Sequence, residues 1–183
     1  MTKLPHKLFW TLTLIDNDKK IPDAESLIKI ISNEISKEID LNTCLIGIPS
    51  GGHLIIKSLQ KLLPAQIEYG LIDASFYRDD LEISGLKVKE NITSINFDVN
   101  NKKVILIDDV FFTGRTIRAA INEIFDYGRP KEILLYVLIN RQLSELPIKP
   151  NFSAYETNIP NDTYIDLKNK NGKLQFITRN IND

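Results

Sequence analysis

Three short runs constrain this chain more than anything else in it: "TCLIGI" (Thr43 to Ile48), "VILI" (Val104 to Ile107) and "EILLYVLI" (Glu132 to Ile139). Each is apolar almost throughout rather than at every second position. A strand with one solvated face alternates; a strand apolar on both faces needs cover on both. Segments with helical periodicity separate these runs. Asp23, after Pro22, is placed to cap a helix whose stripe is Leu27, Ile28, Ile31, Ile35 and Ile39. "HLIIKSLQKLL" follows the first run. After the second comes a helix from about Thr116, with Ile117, Ala120, Ile121, Ile124 and Phe125 as its buried face. Gly128 is expected at its C′ position, with Pro130 just beyond. The fold class is therefore α/β: a central, mainly parallel sheet with helices on both faces.

The remaining segments are weaker signals. Leu8, Trp10, Leu12 and Leu14 alternate with Phe9, Thr11 and Thr13 as a half-buried strand would, and "AQIEYGLID" (Ala65 to Asp73) reads as a further strand. Tyr77 to Asn101 is polar with scattered alternation and is expected to form an exposed flap hairpin. The tail after Pro147 is polar and irregular, with short strands expected at Thr163 to Leu167 and Leu174 to Thr178. No repeat, low-complexity tract or linker interrupts the 183 residues, which suit one domain, 1–183.

Charge excludes little. The 23 basic and 24 acidic side chains nearly cancel, so global basicity does not point to nucleic acid. The single cysteine, Cys44, rules out an internal disulfide and is expected to be a small core residue. No apolar stretch nears the roughly 18 residues of a membrane span, and "MTKLPHKLFW" carries no signal-peptide apolar region. The expectation is a soluble cytoplasmic protein. His6 and His53 show no metal-ligand spacing.

In an open parallel sheet, ligands bind beyond the carboxyl ends of the strands. Two loops there have suitable chemistry. Ser50-Gly51-Gly52 precedes a helix, and its glycines let backbone approach an anion at the helix N-terminus; the alternative is a plain glycine turn. The second loop, Thr113-Gly114-Arg115-Thr116, offers hydroxyls, backbone N–H groups and a helix start to a phosphate. Just before it, Asp108 and Asp109 repel phosphate but accept hydrogen bonds from adjacent hydroxyls, as on a ribose, or sit near a cation. One sugar phosphate satisfies both halves. The competing reading has Asp108 bonding neighbouring backbone and Asp109 solvated.

"VILIDDVFFTGRT" (Val104 to Thr116) closely resembles the phosphoribosyl-pyrophosphate (PRPP) signature of type I phosphoribosyltransferases. The wider match resembles the PyrR family, uracil phosphoribosyltransferases that also act as pyrimidine-operon attenuators. It rests on "FYRDDL" (Phe76 to Leu81), "DYGRP" (Asp126 to Pro130), "ELPIKP" (Glu145 to Pro150) and "NIP" (Asn158 to Pro160). The resemblance implies a type I phosphoribosyltransferase fold with a flexible flap, about 77–101, and a small hood from the N-terminal strand and about 140–183. It implies ribose hydroxyls on Asp108 and Asp109, the 5′-phosphate on Thr113, Gly114, Arg115 and Thr116, and pyrophosphate at Ser50, Gly51 and Gly52. Tyr77, Arg78 and Asp79 would begin the flap, with Tyr77 and Arg78 over the leaving group. Phe112, Asn140, Arg141 and Ile159 would lie near the base.

The implied reaction is uracil plus PRPP giving UMP plus pyrophosphate, with Mg²⁺ carried by PRPP rather than by a protein cage. The implied assembly is a homodimer or larger, and pyr leader RNA is a further implied partner. Related enzymes for 6-oxopurines usually place aspartate where Phe112 stands, which favours a pyrimidine here. Two departures from the family pattern matter. Threonine-arginine-glycine in the pyrophosphate loop is replaced by Ser50-Gly51-Gly52, and the loss of a charged hydrogen bond is worth about 1.5–3 kcal/mol. Aspartate-arginine-glycine-histidine-arginine is replaced by Asn140-Arg141-Gln142-Leu143-Ser144, and the first helix carries fewer basic residues than the family usually shows. The alternatives are a nucleotide-sensing RNA-binding regulator with little catalysis and a phosphoribosyltransferase for another base.

Overall fold

The computed structural model describes residues 21–73 and 93–180. The strand expected at Leu8 to Leu14, and Tyr77, Arg78 and Asp79, lie outside the described residues. Helix α1 (Ala24–Glu38) starts where the sequence places it, because the Asp23 carboxylate accepts the Ser26 N–H at 3.1 Å. Strand β1 (Thr43–Gly47) leads into helix α2 (Gly51–Leu59), then β2 (Glu68–Leu71), β3 (Lys103–Phe111) and helix α3 (Arg115–Tyr127). Strands β4 (Glu132–Asn140), β5 (Phe152–Glu156), β6 (Thr163–Lys170) and β7 (Lys173–Asn180) complete the order.

Five strands form one parallel sheet in the order β2-β1-β3-β4-β5, and β6 and β7 pair as a separate antiparallel hairpin. Asn171 and Gly172 turn that hairpin, both at positive φ, as a two-residue turn between twisted strands requires. The sheet is covered on both faces. Ile105 and Ile107 of β3 pack with α1, α2 and the hairpin residues Ile165, Leu167 and Leu174. Val104 and Leu106 face the other way, with Cys44, Ile46 and the α3 residues Ile117, Ala120 and Ile124. That two-sided burial is why the central strands are apolar throughout. Burial pushes the Cys44 thiol up to about 11, which suits an inert core residue.

Four expectations are corrected. Phe125 is exposed rather than part of the α3 core face, and its ring carries the Arg129 guanidinium instead. Gly128 ends α3, but as its C-cap residue rather than at C′, with φ 153° and ψ −161°. A Cβ there would sit 2.8 Å from Val99, so glycine is required by close packing as well as by backbone conformation. The stretch 93–101 is not an exposed flap: Ser94 bridges Leu71, Ile95 and Phe97 pack on the core, and Val99 is fully buried. Finally, the tail contains a sheet strand, β5, whose partly buried "FSAYE" pairs at the edge beside β4.

Candidate active site at the carboxyl ends of the strands

Strand β3 delivers the carboxylate pair. Its apolar residues run to Ile107, and the strand continues through Asp108 and Asp109 to Phe111, so both acids are held in regular backbone beside β4. They border a cavity of about 250 Å³ lined by Ser50, Gly51, Asp108, Asp109, Thr113 and Thr116, with Phe112 and Arg141 at one side. Tyr164, Ile165 and Asp166 of β6 close it from the hairpin. The cavity therefore lies beyond the carboxyl ends of β1 and β3, where an open parallel sheet binds ligands.

The two carboxylates are not equivalent. Asp108 is buried, and its Oδ1 accepts the Asp109 N–H at 3.0 Å. Asp109 Oδ2 accepts the backbone N–H of Leu167, 2.9 Å away in the hairpin. Burial, with the Asp166 charge adding to it, raises the Asp109 carboxyl above the usual range, against the pull of its hydrogen bonds. Asp109 is thus half-buried and hydrogen-bonded rather than free in solvent. Asp166, which shares the cavity, pairs with Arg179 at 2.9 Å and Lys168 at 3.6 Å.

On the opposite side, Gly114 adopts φ 90° and opens α3. That conformation is inexpensive only for glycine, and it presents the first turn of the helix to the cavity. The Thr113 hydroxyl oxygen accepts the Arg115 N–H at 3.3 Å, and the Thr113 carbonyl accepts the Glu145 N–H at 3.0 Å. Negative charge at the strand end and the positive N-terminal end of α3 a turn away form a bipolar site.

The other expected residues divide. Arg115 is not in the cavity lining: its Nε donates to Glu145 at 3.0 Å on the outside of the loop. Ser50 and Gly51 line the cavity, but Gly52 does not; its N–H donates to the Ile48 carbonyl, and a Cβ there would lie 2.6 Å from the Ile107 carbonyl oxygen. Close packing of α2 on β3 explains that glycine. Arg141 lies 4.0 Å from the centre of the Phe112 ring and donates to the carbonyls of Ile159 and Pro160 at 3.3 and 2.6 Å. Ile159 itself packs on the core, and Asn140 accepts the Gln142 N–H at 2.9 Å; neither lines the cavity.

Sequence reasoning missed Tyr164 and Asp166. The alternation of "TYIDLK", with Ile165 and Leu167 buried and the residues between them turned outward, is the signal that marks them. Among the described residues, no three His, Cys, Asp or Glu side chains group to hold a metal ion, and no helix is long and apolar enough to cross a membrane.

The chain matches the phosphoribosyl transferase domain family over residues 16–166. It is 44% identical over 144 residues to the bifunctional protein PyrR of Caldicellulosiruptor bescii, covering 73% of this chain and 79% of that one. The bifunctional protein PyrR of Pseudomonas savastanoi pv. phaseolicola is 35% identical over 151 residues, covering 80% of this chain and 89% of the relative. Among solved structures, a hypoxanthine-guanine phosphoribosyltransferase from Bacillus anthracis superposes with a TM-score of 0.59 at 16% identity, covering 77% and 85% of the two chains. At that identity the likeness is one of fold. The family model and these relatives show that this chain belongs to the PyrR family of type I phosphoribosyltransferases.

Proposed function

We propose that this protein transfers the phosphoribosyl group of PRPP to uracil, releasing pyrophosphate and forming UMP. The observation that carries the reading is the bipolar cavity, with Asp108 and Asp109 at one end and the Gly114-opened start of α3 at the other. Ribose hydroxyls donate to the carboxylates, and the 5′-phosphate accepts from the Thr113–Thr116 backbone and hydroxyls. As the anomeric C–O bond breaks, positive charge grows on the ribose and negative charge on the departing pyrophosphate. The carboxylates face the first, and the main chain of Ser50 and Gly51, which opens the same cavity, faces the second.

The donor set fits Mg²⁺ brought in on PRPP: the groups near the ribose end are hard carboxylate oxygens. When bound, the ion neutralises charge on the leaving group. Phe112 and Arg141 form the base side, where a phenyl ring offers no proton acceptor to a purine nitrogen. The resemblance gives Tyr77 and Arg78, outside the described residues, the leaving-group side. In this reading 1–183 is one phosphoribosyltransferase domain, working in the cytoplasm as a homodimer or larger.

Incubation with uracil, PRPP and Mg²⁺ tests the reaction, and hypoxanthine and orotate serve as competing bases. UMP is the expected product; none at high enzyme concentration contradicts the reading. One observation favours a second role with weaker turnover, namely glycine at residue 51 in place of the family's arginine. That role is UMP-sensing attenuation on pyr leader RNA, and a gel shift with and without UMP tests it.

A further inference from the structure

Residue 51 stands where the family pattern carries arginine, and the structure shows what occupies the space. A Cβ on Gly51 would overlap the Asp109 carboxylate. The first turn of α2 has nowhere to retreat, because Gly52 already lies against the Ile107 carbonyl. Nor does the carboxylate turn aside without cost, since its Oδ2 holds the Leu167 N–H at 2.9 Å. In an antiparallel pair every second N–H points away from the partner strand. The Leu167 N–H of β6 is one of these, and Asp109 is the acceptor it meets. The Leu167 side chain is 1% exposed, in the core with Ile165 and Leu174, so the hairpin cannot follow a displaced carboxylate.

We propose that Gly51 and Asp109 form a latch: the carboxylate, packed on the bare face of Gly51, positions the β6–β7 hairpin, and this chain cannot accept the family's arginine. Asp109 is in this respect a positioning residue. It acts through Leu167 on Tyr164 and Asp166, which the same hairpin brings to the cavity wall. The pyrophosphate loop then works through main-chain donors, and restoring the arginine harms the site instead of repairing it. The effect on PRPP rests on the functional reading above; the latch itself does not.

Amide hydrogen exchange of Leu167, followed by NMR, tests the latch directly, beside the KM for PRPP and kcat. Gly51→Ala, Gly51→Arg and Asp109→Ala are expected to speed Leu167 exchange by about tenfold or more, the scale of one hydrogen bond to a charged group. Asp109→Asn, whose amide oxygen still accepts, is expected to keep exchange within about threefold. Gly51→Arg is expected to raise the KM for PRPP by about tenfold, with a smaller change in kcat. Wild-type exchange at Leu167 in Gly51→Arg, or a lower KM for PRPP in that variant, overturns the proposal. If the wild-type protein has no PRPP activity, the functional reading fails and the exchange rates alone decide the latch.

Discussion

The Arg141 guanidinium lies 4.0 Å from the centre of the Phe112 ring while its Nη2 spans the carbonyls of Ile159 and Pro160. One buried cation therefore ties the loop after β3 to the segment that leads into the hairpin. Burial lowers its pKa, though a guanidinium remains charged at any working pH. Removing it takes that donor from the Ile159 carbonyl and leaves the Pro160 carbonyl with the Thr163 N–H at 3.1 Å. Arg141→Ala is expected to cost about 2–4 kcal/mol, read as a fall in Tm of roughly 5–15 °C. Lysine lacks the planar fork and is expected to recover only part of that loss.

Gly114 has room for a methyl group, with no atom nearer than 3.6 Å to its Cβ position, so its constraint is the φ of 90° alone. Gly114→Ala is expected to cost about 1–2 kcal/mol through backbone strain. PRPP affinity is expected to fall as well, by about tenfold or more, because the helix start shifts from the phosphate. Calorimetric titration against a thermal melt separates the two effects.

Asp108→Asn keeps the shape of the strand end and removes one charge facing the developing cation. A loss of about 10²-fold in kcat/KM is expected, with the fold intact by circular dichroism.

Glu123 of α3 gives the pH dependence. Its Oε1 accepts the Thr93 hydroxyl, which in turn accepts the Asp73 N–H at 2.9 Å, while Oε2 is buried without a hydrogen-bond partner among the described residues. Burial first, then the charges of Asp73 and Asp126, raise its pKa, partly offset by the Thr93 hydrogen bond. A carboxyl whose folded pKa exceeds its unfolded value contributes stability below the unfolded pKa and loses it as pH rises through the folded one. Glu123→Gln keeps the Thr93 bond and removes the charge. It is expected to melt above the wild type at pH 7 and to lose that advantage by about pH 4, near the unfolded glutamate pKa.

The fold was legible where burial left a pattern in residue types. Strands β1, β3 and β4 announce themselves because both faces are covered, and Asp108 and Asp109 stand out because charge is unexpected at the end of such a strand. Strand β5 does not, since "FSAYE" is short, partly buried at the sheet edge and set in a polar tail. Phe125 fits the helical stripe of α3 by spacing but falls at its rim, where only packing decides exposure. The Leu167–Asp109 bond leaves no trace in the sequence at all: a backbone N–H is the same at every residue except proline, and only tertiary placement selects it. The same holds for Gly51 and Gly52. Both read as phosphate-loop glycines, but the contacts that demand them are with Asp109 and Ile107.

The central claim is that this cavity holds PRPP, and calorimetric titration of the protein with PRPP and Mg²⁺ tests it most directly. One PRPP is expected to bind per chain, with affinity falling at least tenfold in Gly114→Ala and uracil alone producing little heat. Absence of PRPP binding at millimolar concentration, in protein that melts cooperatively, would contradict the account.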